Sequence, residues 1–149
     1  MGHKINAVIG KIADVSKIAE DWVHAKIIEL PQDFGMVPMT VGLLEDVSEL
    51  MEISGGVYCS ELDALDESVI DLLERYSFRT KLAYIETDYF GGVGTQGGVL
   101  YENGREVCPP RVGEGVINAL LKELGAWHRP GSDEFDSLGL GKYRHMPDE

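Results

Sequence analysis

The Asn103-Gly104 dipeptide constrains this chain more than any other feature. Both residue types tolerate the positive φ that the central positions of a type I′ turn require, and that turn's twist matches flanking antiparallel strands. Val99–Glu102 precedes it and Arg105–Cys108 follows it, so the spacing predicts a hairpin in which Glu102 faces Arg105 and Leu100 faces Val107. A further strand, Leu82–Tyr89, runs towards this hairpin. Its period of two places Tyr84, Glu86 and Asp88 on one face and Ala83, Ile85, Thr87 and Tyr89 on the other. Such alternation is what a one-sided antiparallel sheet with its polar face in water produces.

Between these strands, Tyr89–Gly98 holds five glycines in ten residues, and Gly92–Gly97 matches G-x-G-x-x-G. A dinucleotide site needs a helix directly after the glycines, whose N-terminus takes the pyrophosphate. Here a strand follows, and the H-R-D catalytic loop of a kinase is absent. The glycines read as a flexible hairpin connection that lets backbones approach closely. Glu86 and Asp88, as paired carboxylates, with Thr95, Gln96 and His128 to orient a substrate, define a candidate ligand or acid–base site over residues 88–98. No nucleophile–base pair accompanies them, so a binding protein is expected before an enzyme.

Helical spacing appears on both sides of this region. Val15, Ile18, Ala19, Trp22 and Val23 form one apolar stripe, with Asp14 as its expected N-cap. Ala25–Leu30 and Phe34–Met39 read as strands, and Pro38 places the second at an edge or ends it. Thr40 caps a helix bearing Leu43, Leu44, Val47, Leu50 and Met51. Gly55-Gly56 breaks that pattern, and Ser60 with Asp63 resembles the capping box of a helix bearing Leu62, Leu65, Val69, Leu72, Leu73 and Tyr76. Pro109-Pro110 is expected to end the sheet, and Val116–Leu124 to form a last helix closed by Gly125. Residues 132–149 form a tail whose Phe135, Leu138, Leu140 and Tyr143 pack back on the body. The expectation is one α+β domain over 1–149, with a mainly antiparallel sheet of five or six strands packed by about four helices.

Charge narrows the function classes. Of the net −13, Pro31–Glu74 contributes −11, with eleven acids and no Lys or Arg. The two helices of this segment present Glu45, Glu49, Glu52, Asp63, Asp66, Glu67, Asp71 and Glu74 as an acidic surface. Phosphate-bearing partners would be repelled, so neither nucleic acid nor an anionic membrane is expected. A basic protein would be steered to it. Two cysteines, Cys59 and Cys108, give no disulfide framework, and no leader or membrane-length apolar run opens the chain, which points to the cytoplasm. Neither the histidines nor Asp133, Glu134 and Asp136 have a metal-site spacing, so no metal and no cofactor is expected.

The stretches AYIETDYFGGVGTQGG, INALLKELG and DEFDSLGLGKYR, with KIIELPQDFGMVPMT more loosely, resemble a family of small bacterial cytoplasmic proteins whose activity is uncharacterised. That resemblance implies a compartment and carries no activity. In size, charge and fold class the chain is also similar in outline to immunity proteins that neutralise toxins, an analogy without a motif. The reading is therefore an acidic module that docks a basic protein partner, a toxin-neutralising immunity role included.

Overall fold

The computed structural model describes residues 2–50, 62, 65–90 and 92–147. Among them six strands form one antiparallel sheet: β1 (His3–Lys11), β2 (Ile28–Leu30), β3 (Phe34–Pro38), β4 (Lys81–Phe90), β5 (Val93–Glu102) and β6 (Arg105–Val112), in the spatial order β2-β3-β1-β4-β5-β6. Among the described residues five helices accompany it: α1 (Ile12–Asp21), α2 (Val41–Leu50), α3 (Glu67–Tyr76), α4 (Val116–Glu123) and α5 (Glu134–Ser137). The α+β class and the antiparallel sheet expected from the sequence are what the chain adopts.

The sheet is covered on both faces, which corrects the one-sided sheet inferred from β4. Val8, Val37, Tyr84, Val99 and Tyr101 point into a core shared with α1, α2 and α3. Ala7, Ile9, Met36, Ala83, Ile85 and Leu100 point the other way, into a core shared with α4 and the C-terminal segment. β4 alternates as expected, but the face that carries its polar residues is not open to water along its length: Tyr84 is buried, and of that set only the distal Glu86 and Asp88 approach solvent. A strand buried on both faces reads as a continuous apolar run, and Leu82-Ala83-Tyr84-Ile85 is that run.

The Asn103-Gly104 turn has φ of 53° and 78°, as a type I′ turn requires, and Glu102 pairs with Arg105. Beyond that pair the expected register fails, because Leu100 pairs with Cys108 rather than Val107. An extra residue on β6 bulges there, leaving Val107 exposed. Pro109 and Pro110 do not end the sheet. They lie within β6, an edge strand whose free side needs no N–H donor. Pro38 does end β3, an inner strand that pairs with β2 only as far as Met36.

The glycine-rich stretch is not a long loop. Phe90 pairs with Val93 across a tight turn in which Gly92 has φ of 83°, and Gly94, Gly97 and Gly98 are strand residues. At Gly98 a Cβ would lie 2.3 Å from the Tyr84 carbonyl oxygen and 2.6 Å from Leu120 Cδ1, so its absence lets α4 settle on the sheet.

Several helix ends also differ from expectation. Lys11, not Asp14, occupies the N-cap of α1, because β1 runs straight into the helix; Asp14 instead accepts from the Thr80 hydroxyl. Val15, Ile18 and Trp22 are buried, whereas Val23 is exposed beyond the helix end. Thr40 Oγ1 does accept from the Leu43 amide, at 3.3 Å, but Leu50 is exposed. α3 is capped by Asp66, which accepts from the Val69 amide at 3.1 Å. Ser60, Asp63, Gly55-Gly56, Met51 and Cys59 lie outside the described residues. α4 is followed by α5 and a short 3₁₀ turn, Leu140–Lys142, so it is not the last helix. Leu138 and Leu140 are fully buried in the core shared with α4.

Candidate functional site

Two places carry the side chains singled out from the sequence. The first is the acidic pair α2 and α3, which contact each other. Glu45 and Glu49 on α2, and Glu67 and Glu74 on α3, are exposed. Asp66 is engaged as the α3 cap. Asp71 meets Arg75 one helical turn on, at 3.4 Å. Glu52 and Asp63 lie outside the described residues. Asp46, next to Glu45, bonds His24 from the α1–β2 connection. Asp46, Asp66 and Asp71 are thus engaged within the chain, and the described acids of the two helices keep a uniform sign.

Between α2 and the start of α3 lies a groove of about 220 Å³, lined by Val41, Leu44, Glu45, Ser48, Asp66 and Ser68. Val41 is 62% exposed. Ser68 is 1% exposed, and its hydroxyl has no hydrogen-bond partner among the described residues. The sequence held a signal for this that the polarity of serine concealed. Ser68 stands three residues after Leu65 and four before Leu72, which puts it on the apolar stripe.

The second place is the glycine-rich hairpin. Of its candidate residues, Glu86, Asp88 and Thr95 share the α3 face of the sheet, since Asp88 pairs with Thr95 and Glu86 with Gly97. Glu86 accepts from the Tyr84 hydroxyl at 3.0 Å, and Asp88 stands 3.9 Å from Lys4 Nζ. Gln96 is on the opposite face, paired with Thr87. His128 is exposed in the segment after α4, with Nδ1 3.3 Å from the Arg129 carbonyl oxygen. The five residues thus do not converge, because strand alternation sends Gln96 away from the carboxylates.

On the Gln96 face a cleft of about 670 Å³ opens between the hairpin and the start of α4, bordered by Tyr89, Gly94, Gln96, Gly115, Asn118 and Asp133. Its polar groups are largely engaged within the chain. Gln96 accepts from the Ile117 amide at 3.0 Å and donates to the Tyr89 hydroxyl at 3.1 Å. Asn118 donates to Asp133 at 3.1 Å and accepts from the Phe135 amide at 2.9 Å. A smaller adjoining cavity of about 240 Å³ is lined by His3, Thr87 and Phe135. The Leu140 carbonyl, 3.0 Å from His3 Nε2, can only accept, so the proton of a neutral ring sits there; Nδ1 then accepts from the Thr87 hydroxyl at 2.7 Å. Sequence reasoning named neither His3 nor Asn118, because their partners lie across the fold.

Asp33-Phe34-Gly35 spells the D-F-G triplet of kinases, but it precedes the glycine-rich hairpin in the chain, and Phe34 is buried in β3. Among the described residues, no group of three or more His, Cys, Asp or Glu side chains is placed to hold a metal ion. No helix among them is long and apolar enough to cross a membrane. The fold and sites define an acidic α+β protein with a charged helical face and a separate glycine-lined cleft. No family model, curated protein or solved structure compared with the chain matches it.

Proposed function

We propose that the chain is a protein-binding module whose acidic α2–α3 face docks a basic protein, a toxin-neutralising immunity role being one form of this. The observation that carries the reading is the run of eleven acids without a Lys or Arg in Pro31–Glu74, of which Glu45, Asp46 and Glu49 lie on α2 and Glu67, Asp71 and Glu74 on the adjacent α3. Like charges at helical spacing cost a few tenths of a kcal/mol each. They also raise the rate at which an oppositely charged partner finds the face. The test is capture from lysate of the source cell by the parent chain and by a variant with Glu45, Glu49, Glu67 and Glu74 changed to Gln. A basic protein held by the parent and lost from the variant supports the reading. The same proteins held by both chains, or none held by either, overturns it.

A second reading rests on the cleft of about 670 Å³, a volume within the usual range for small-molecule sites. In that reading the hairpin region binds a small ligand, with Tyr89 and Glu114 as the polar groups that recognise it. The engagement of Gln96, Asn118 and Asp133 in holding α4 and α5 places this reading second. Screening small polar compounds by thermal shift, with Tyr89→Phe as control, tests it. Absence of any shift would remove it.

A further inference from the structure

The C-terminal segment is fastened to β1 more weakly than a strand would be. β3 pairs with β1 only from Ala7 to Lys11, so the amides of Lys4 and Asn6, two residues apart, point to the same open edge. Residues 144–146 lie along that edge. The Arg144 carbonyl accepts from the Lys4 amide at 2.7 Å, but the acceptor for the Asn6 amide is the Met146 thioether, with Sδ at 3.4 Å. A thioether sulfur is a weak acceptor, standing where a strand would offer a carbonyl. Between this segment and the sheet lies a cavity of about 100 Å³, lined by Ile5, Ala7, Met36, Tyr143 and Met146 among others. That is roughly three times the share of one water in the liquid and admits a molecule the size of hydrogen peroxide. Met146 is partly exposed beside it, whereas Met36 and Met39 are each 2% exposed.

We propose that Met146 is an oxidation-sensitive latch on the C-terminal segment. A hydroperoxide delivers one oxygen atom to the sulfur lone pair: the O–O bond breaks, an S–O bond forms, and the rest of the peroxide leaves as water or an alcohol. Sulfur is oxidised, the peroxide is reduced, and the proton of the transferred oxygen goes with the leaving oxygen. The sulfoxide is polar where the thioether was apolar, and it disrupts the packing around it. With the sulfur already in contact with the Asn6 amide, no room remains between them for the new oxygen. Turned towards Ile5, Ala7 and Met36, the oxygen would be buried without a partner. It finds its hydrogen bonds in water, so Met146 swings off the sheet and residues 143–147 follow. Release stops at Leu140, which is fully buried and whose carbonyl oxygen stands 3.0 Å from His3 Nε2. The opened chain presents the Lys4 and Asn6 amides as an unpaired edge, a template for another strand. Enzymatic reduction of the sulfoxide closes the latch again.

Hydrogen peroxide is the probe. The 15N-labelled chain is treated with it, peptide mass spectrometry locates the oxidised methionines, and amide exchange is followed by NMR. Met146 should oxidise roughly tenfold faster than Met36 and Met39, in the order of their exposure. The Lys4 and Asn6 amides should then exchange about tenfold faster, the worth of about one hydrogen bond, with the Leu138 amide unchanged. Met146→Leu, which keeps the volume and has no sulfur, should show no response to peroxide at either amide. Met146→Gln, which places a polar group where the sulfoxide would stand, should exchange fast at Lys4 without peroxide. Oxidation of Met146 that leaves exchange at Lys4 and Asn6 unchanged or slower overturns the latch. So does a response that persists in Met146→Leu, or a Met146 no more reactive than the two buried methionines.

Discussion

Gln96 holds Ile117 in place: its side-chain oxygen accepts the Ile117 amide at 3.0 Å, capping α4 from a neighbouring strand. The helix has no cap of its own, because its N-cap position is Gly115 with φ of 81°. The backbone of Gln96 adds a bond of 2.9 Å from the Gly113 amide. A residue that reads in sequence as a ligand contact is thus the peg that joins β5 to α4.

Gln96→Ala should therefore lower unfolding stability by about 1–2 kcal/mol, the usual cost of losing a helix cap. Gln96→Glu, which keeps an acceptor for Ile117, should lose less. Urea melts of the three chains check the order, and a Gln96→Ala melt equal to the parent's would show the cap to be idle.

Glycine substitutions should divide by cause. Gly98→Ala forces a Cβ against the Tyr84 carbonyl oxygen and Leu120, and should cost about 2–3 kcal/mol through overpacking. Gly92→Ala meets nothing within 4 Å and suffers only from its positive φ, worth about 1–2 kcal/mol. Equal losses at the two positions, by urea denaturation, would contradict the packing assigned to Gly98.

The phenol of Tyr76 joins α3 to the end of α1. It donates to Asp21 and accepts from Trp22 Nε1 at 3.0 Å. Burial, reinforced by the bond to Asp21, pushes its pKa up to about 12. An unfolded tyrosine loses its proton near pH 10. Its folded pKa is the higher one, so the stabilising contribution is complete below about pH 10 and is lost as pH rises through about 12. In Tyr76→Phe this fall between pH 10 and 12 should be absent. Parallel curves for parent and variant across that window would count against the assignment.

The C-terminal segment is part of the core rather than an appendage. Leu138 is fully buried against the second core, so Leu138→Ala should cost about 2–5 kcal/mol. Asn118→Ala, which removes the bonds to Asp133 and the Phe135 amide, should loosen α5 while sparing the sheet. Hydrogen exchange resolves the two effects: faster exchange at Phe135–Leu138 with strand amides unchanged is expected for Asn118→Ala.

What the sequence discloses follows from range. The Asn103-Gly104 turn, the Thr40 cap and the stripes of α1 and α4 are local patterns, and each is found in the fold. The bulge that displaces Val107 is not local, because it depends on how β6 meets β5 beyond the turn. Nor is the burial of both sheet faces, which Leu82–Ile85 hinted at but the polar residues Glu86 and Asp88 obscured. The five hairpin candidates do not converge because chain position groups them, while alternation divides them between two faces. The acidic face was legible as a charge count. The Ser68 groove needed the pairing of α2 with α3.

The most direct test of the acidic-face account is the association rate of the captured basic protein as ionic strength is raised. The parent's rate should fall steeply with salt. The variant with Glu45, Glu49, Glu67 and Glu74 changed to Gln should associate roughly tenfold more slowly at low salt and with a flatter dependence. Rates and salt slopes that coincide for the two chains would contradict the account and leave the cleft beside the glycine-rich hairpin as the working site.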